Sequence, residues 1–219
     1  MCFSAEADVV AGLVVTGIGV DALRQVRRPA ERALGALPVL LGGHLLVEAL
    51  VWQGLTGDID AATGRDAMWV YLAFALLVLP VLVPLAVRAV EPDPRRRRTM
   101  GALAVAGAVL AGVYLVVLLQ APVDVRINGS HLAYDLGIDH GGLLAGVYAI
   151  VACAPPMLAS ERRIAAFGLA NLAAVVVLVW VESSALTSLW CAWAAVTSIA
   201  IAAHLRRSHR GEEVRVHMA

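Results

Sequence analysis

Long apolar runs alternate with short polar, arginine-bearing segments from one end of the chain to the other. The runs cover residues 7–23, 34–55, 68–90, 100–120, 140–158, 164–181 and 186–205. Most are close to the ~20 residues a helix needs to cross ~30 Å of hydrocarbon. Lipid offers no partner for backbone N–H and C=O groups, so each run is predicted to be a helix. The expected fold is all-α: a polytopic membrane protein built as a seven-transmembrane-helix bundle. Residues 1–205 form its single domain, and 206–219 form a short cytoplasmic tail.

The polar segments set the orientation. Alternate connections hold Arg24, Arg27, Arg28 and Arg32, then Arg88 and Arg95 to Arg98, then Arg162 and Arg163, then Arg206, Arg207, Arg210 and Arg215. The opposite connections hold only Arg65 and Arg126, a division of 15 against 2. Basic residues stay on the cytoplasmic side. The N-terminus is therefore expected outside and the C-terminus in the cytoplasm, in the inner (plasma) membrane. The first residues lack the basic segment of a signal peptide, and Arg24, Arg27 and Arg28 follow the first run, which reads as a permanent span.

Composition agrees with this pattern. The chain is 60% hydrophobic and 16% charged, with a mean hydropathy of +0.80. Soluble domains are about a quarter charged. The formal net charge is zero, yet all 17 basic side chains are arginine. With the abundance of Ala, Val, Leu and Gly, this suggests a GC-rich bacterial source. Phosphate loops, dinucleotide fingerprints, His-Glu-x-x-His and Gly-x-Ser-x-Gly are absent from the sequence, as is any nucleic-acid-reading motif.

Candidate chemistry lies where polar residues enter the apolar runs, at a cost of about 2.5–3.5 kcal/mol each. His44 and Glu48 are four apart in the second run and share one helical face, which Trp52 continues. They either lock the packing as neutral groups or form a working site that binds a metal, relays a proton or supplies acid and base. The cysteines are Cys2, Cys153 and Cys191. Cys153 reads as a small buried residue. Cys2 and Cys191 fall at the same membrane face, where they are inert, joined as a disulfide, or bound to a transition metal such as copper or zinc.

Further polar groups collect at the outer side: Ser4, Gln53, Gln120, His131, Asp135, Asp139, His140, Glu182, Ser183 and Ser184. Asp139-His140 is a cap with a solvated neighbour or a metal ligand. Asn171 is expected to hydrogen-bond between helices. Trp69, Tyr71, Trp180, Trp190 and Trp193 suit an interfacial aromatic belt, or line a pocket. Pro80 and Pro84 should kink the third run. Gly142 and Gly146 should allow a close helix contact. The Arg95–Arg98 run fixes topology or binds anionic lipid.

Four segments carry a family resemblance: Met1-Cys2-Phe3-Ser4-Ala5, His44 with Glu48-Ala49-Leu50-Val51-Trp52, Glu91-Pro92 with its arginine run, and Ser188-Leu189-Trp190-Cys191-Ala192. Together they resemble an uncharacterised, actinobacterial-type family of small multi-span membrane proteins. The resemblance draws attention to Cys2, Ser4, Glu48, Trp190 and Cys191. A looser likeness to seven-span hydrolases of the alkaline ceramidase and adiponectin-receptor type fails at the last run, which offers His204 without a second histidine.

These readings converge on a polar pocket in the outer half of the bundle, lined by His44, Glu48, Trp190, Cys191 and Ser4, with Cys2 over it. Its expected role is binding or transport of a small molecule, ion or proton. The alternatives are a metal- or thiol-dependent membrane enzyme using Cys2, Cys191, His44 and Glu48, and a structural accessory subunit. The lipid bilayer is the expected partner, with a homo-oligomer or a membrane complex as further candidates and no nucleic acid.

Overall fold

A computed structural model describes residues 4–120, 123–129, 131–138, 141–181 and 198–202. The chain is mostly helical. Its helices are α1 (Ala5–Arg24), α2 (Arg32–Thr56), α3 (Ala61–Ala73), α4 (Leu79–Val90), α5 (Pro94–Gln120), α6 (Gly141–Met157) and α7 (Arg162–Val181). Residues 198–202 are also helical. A π-helical turn, Phe74–Val78, joins α3 to α4 in one continuous helix. Among the described residues, three helices are long and apolar enough to cross a membrane: Pro29–Thr56, Ala61–Val90 and Pro94–Gln120. At 27–30 residues each, they reach about 40–45 Å, beyond the ~30 Å of hydrocarbon.

The apolar surface points outward as well as inward. Val10 and Leu13 on α1, Val105, Val109 and Leu119 on α5, and Leu143 and Ile150 on α6 are each at least 60% exposed. Water would penalise such faces, and lipid does not. These helices mark the chain as a membrane-associated protein.

The α1 and α2 helices pack most extensively, through small residues. A Cβ on Gly19 would lie 2.4 Å from Val39 N, and one on Gly42 would lie 2.5 Å from Thr16 N. Backbones this close leave no room for a side chain. Gly142 and Gly146, expected to make such a contact, are exposed, and a Cβ on either meets nothing within 4 Å among the described residues. Glycine spacing shows that a helix can be approached closely, without saying which face its neighbour takes.

The connections gather at two ends. At one end, α1 closes and α2, α5 and α7 open, all carrying arginine. There Glu31 accepts from Arg28 Nε at 3.0 Å, and Asp93 caps α5 through Arg95 N at 2.7 Å and Arg96 N at 3.0 Å. At the other end Asp60 caps α3 through Thr63 N at 2.9 Å, and its neighbouring hydroxyl bond with Thr63 holds that carboxyl below its ordinary pKa.

A hairpin also closes this second end. Strands β1 (Asp124–Asn128) and β2 (His131–Asp135) pair antiparallel, from Asp124 opposite Asp135 to Asn128 opposite His131. Gly129, at φ +60°, makes the turn, a conformation that a side chain disfavours. Part of the connection between the fourth and fifth runs is thus a two-stranded sheet within a mostly helical fold. Leu132 is fully buried against a cluster that includes Trp52, Met68, Tyr71 and Leu118.

The paired prolines remove two backbone donors from this helix. Leu79 N–H bonds Phe74 O in the π register. The next donor in that register would be Pro80, which has no N–H. The carbonyl it leaves, Ala75 O, receives Tyr148 OH from α6 at 2.8 Å. Pro84 in turn cannot donate to Pro80 O, and α5 closes on that oxygen with Gly107, where a Cβ would lie only 2.0 Å away.

Candidate functional site

The second helix carries the site residues because its period repeats every fourth residue on one face. His44, Glu48 and Trp52 all lie on the inward face of α2, at 8%, 0% and 5% exposure. His44 lies face to face with Tyr71, with ring centres 4.0 Å apart and planes 10° apart. Phe74 covers it at 4.9 Å. Tyr71 continues the stack to Tyr134 of the hairpin, at 4.9 Å and 10°. A column of three rings therefore runs from the hairpin to the imidazole. Tyr71, a candidate for the interfacial belt, is 1% exposed and lines this interior instead. Trp69 is 37% exposed.

Trp52 completes the face. Its indole Nε1–H is buried and has no hydrogen-bond partner among the described residues. A buried donor without an acceptor costs about 1–3 kcal/mol, so this side chain is poised for one.

A second carboxyl was missed by sequence reasoning. Asp8 on α1 is fully buried. Gly12 packs on Leu46 and Gly42, and Gly19 on Val39 and Pro38. Continuing this antiparallel register one turn toward the start of α1 brings Asp8 level with residues 46–50, and so with Glu48. The signal in the sequence was ambiguous, because an acid in the first turn of a helix reads as a partner of the helix dipole.

Ser4 sits at the start of the same helix, where its Oγ accepts from Ala7 N at 3.3 Å. It is a helix cap, partly buried. Gln53, His131 and Asp135 are on the hairpin end, with Gln53 and His131 half-buried and Asp135 exposed. Asp135 accepts from Gly137 N at 2.9 Å. Asn171 does what was expected of it, donating from α7 to Cys153 Sγ of α6 at 3.4 Å. Cys153 is buried and free. Cys2, Asp139, His140, Glu182, Ser183, Ser184, Trp190, Cys191, Trp193 and His204 lie outside the described residues. So does the side chain of Trp180. Among the described residues no three His, Cys, Asp or Glu side chains gather as a metal site.

The described arginines lie at the ends of the helices and in the connections between them. There is no lysine. At the hairpin end the described arginines are Arg65 and Arg126, both exposed. The other described arginines belong to the opposite end. No arginine sits inside α2 beyond its first residue or inside α1 before its last.

The chain belongs to a family described as a family of unknown function (DUF6629), matched over residues 1–216. No curated protein and no solved structure matches it.

Proposed function

We propose that this is a seven-span protein of the plasma membrane, N-terminus outside, that takes up a proton or small cation at a buried polar site in its outer half. Burial of Asp8 and Glu48 carries the reading. A carboxylate carried into a lipid-surrounded interior costs several kcal/mol unless its charge is compensated. That compensation includes a proton or a small cation, held together with the partners that both carboxyls have within the protein. His44, one turn deeper on the same face as Glu48, is a neutralisable neighbour that can exchange a proton with it. The arginine division, 15 against 2, supports the orientation, and the outward apolar faces support lipid as the surrounding solvent.

Infrared difference spectroscopy on protein in lipid nanodiscs tests this. Titration with base, or with sodium or potassium, should bleach a protonated-carboxyl band. Glu48→Gln should remove part of that band, and Asp8→Asn another part. A spectrum with no carboxyl band that responds to pH or cation would refute the proposal.

A further inference from the structure

The arginine-rich end carries a second, independent feature. The turn between α4 and α5 and the turn between α6 and α7 are bolted together. Glu91 accepts from Ser160 N at 2.8 Å, from Ser160 Oγ at 2.5 Å and from Asp93 N at 3.0 Å. Arg96 Nη1 donates to Leu158 O at 3.0 Å. Beneath them Val87, Met100, Ala159 and Ile164 form one apolar cluster. This clamp ties together the turns that lead into α5 and α7.

The charge gathered there is unbalanced. Arg95, Arg96, Arg97 and Arg98 lie on the first turns of α5, and Arg162 and Arg163 open α7; all are exposed. Of the acids nearby, Glu91 is buried with its oxygens occupied by the clamp, and Asp93 is engaged with the backbone of α5. Among the described acids of these two turns, Glu161 is left. Both helices also begin here, so their backbone dipoles add to the positive potential rather than offset it. On α5 the buried stripe runs through Met100, Ala104 and Gly107. Arg95 and Arg98 lie on the opposite side of the helix by its 3.6-residue period. Arg162 lies likewise opposite the Ile164 and Gly168 face of α7.

We infer that the paired starts of α5 and α7 form a binding site for the phosphate headgroup of an anionic phospholipid. Guanidinium groups meet phosphate oxygens in a planar, two-bonded geometry. The outward faces of α5 above this site, through Val105 and Val109, accept acyl chains. The inference rests on the transmembrane reading but not on the carboxyl site.

The test uses full-length protein in nanodiscs of equal phosphatidylglycerol and phosphatidylcholine, released into a mass spectrometer. The protein should retain phosphatidylglycerol in preference to phosphatidylcholine. Arg95→Gln/Arg98→Gln/Arg162→Gln should lose that preference, with about a fivefold fall in retention per arginine. Arg24→Gln/Arg27→Gln/Arg32→Gln removes equal charge at the same end and should keep it. Equal loss in both variants would mean a diffuse basic collar and would overturn the site, as would no preference in the parent protein. Failure of the protein to enter nanodiscs would instead count against the transmembrane reading.

Discussion

Replacing Gly107 with alanine puts a methyl group where α5 meets the oxygen that Pro84 leaves without a helical donor. The added Cβ would lie 2.0 Å from Pro80 O, 2.8 Å from Pro80 C and 3.1 Å from Val151 Cγ1. A carbon and an oxygen need more than 3 Å, so α4 and α5 must part by about 1 Å or more. Overpacking of this kind costs about 1–3 kcal/mol. Opposing it, alanine favours a helix over glycine by about 1 kcal/mol. The clash should still prevail, lowering the melting temperature by a few degrees at about 2–4 °C per kcal/mol. Gly112, on the same helix, has nothing within 4 Å of its Cβ position, so Gly112→Ala keeps only the helix-favouring effect and should raise stability or leave it unchanged. The assay follows the reaction of buried Cys153 with a thiol-reactive dye on heating, in a Cys2→Ser/Cys191→Ser background. If the two alanines shift the transition in the same direction, the close approach at Pro80 is refuted.

Other parts of the fold make separate predictions. Tyr148→Phe leaves Ala75 O without its donor and should cost about 0.6–1.7 kcal/mol in the same assay; an unchanged transition would show that the bond contributes nothing. Burial alone would raise the Glu91 carboxyl, but the bonds from Ser160 and Asp93 and the nearby Arg96 outweigh it and hold its pKa below the ordinary 4.5. Its contribution to stability is therefore full above that value and is lost as the pH falls through the lower folded value. Melting temperatures of the parent should fall with acid in that window, and Glu91→Gln should flatten the fall; parallel profiles would argue against the clamp.

Hydropathy made the helices legible because lipid imposes one solution on any long apolar run. The observed α1, α2, α6 and α7 begin and end within two residues of the predicted runs. The helices α3 and α5 start six or seven residues earlier, because Asp60 and Asp93 cap polar turns that hydropathy cannot see. Half of the candidate site was legible in the same way, since His44, Glu48 and Trp52 share a face through local periodicity alone. Asp8 and the Tyr71–Tyr134 stack were not, because they depend on which helices and strands become neighbours. The hairpin had a local signal that went unused: Asn128-Gly129 flanked by alternating Val125, Ile127, Leu132 and Tyr134 is a strong turn signature. The π turn had none until the Pro80 and Tyr148 partners were seen together.

Topology mapping by single cysteines tests the account most directly. In a background lacking the native cysteines, Asp58→Cys lies in the exposed turn after α2 and Thr99→Cys near the exposed start of α5. A membrane-impermeant maleimide applied to intact cells should label Asp58→Cys at once and Thr99→Cys only after lysis. Labelling in the reverse order would invert the bundle and put the buried carboxyls in the inner half. Labelling of both positions in sealed cells would contradict a membrane-spanning fold.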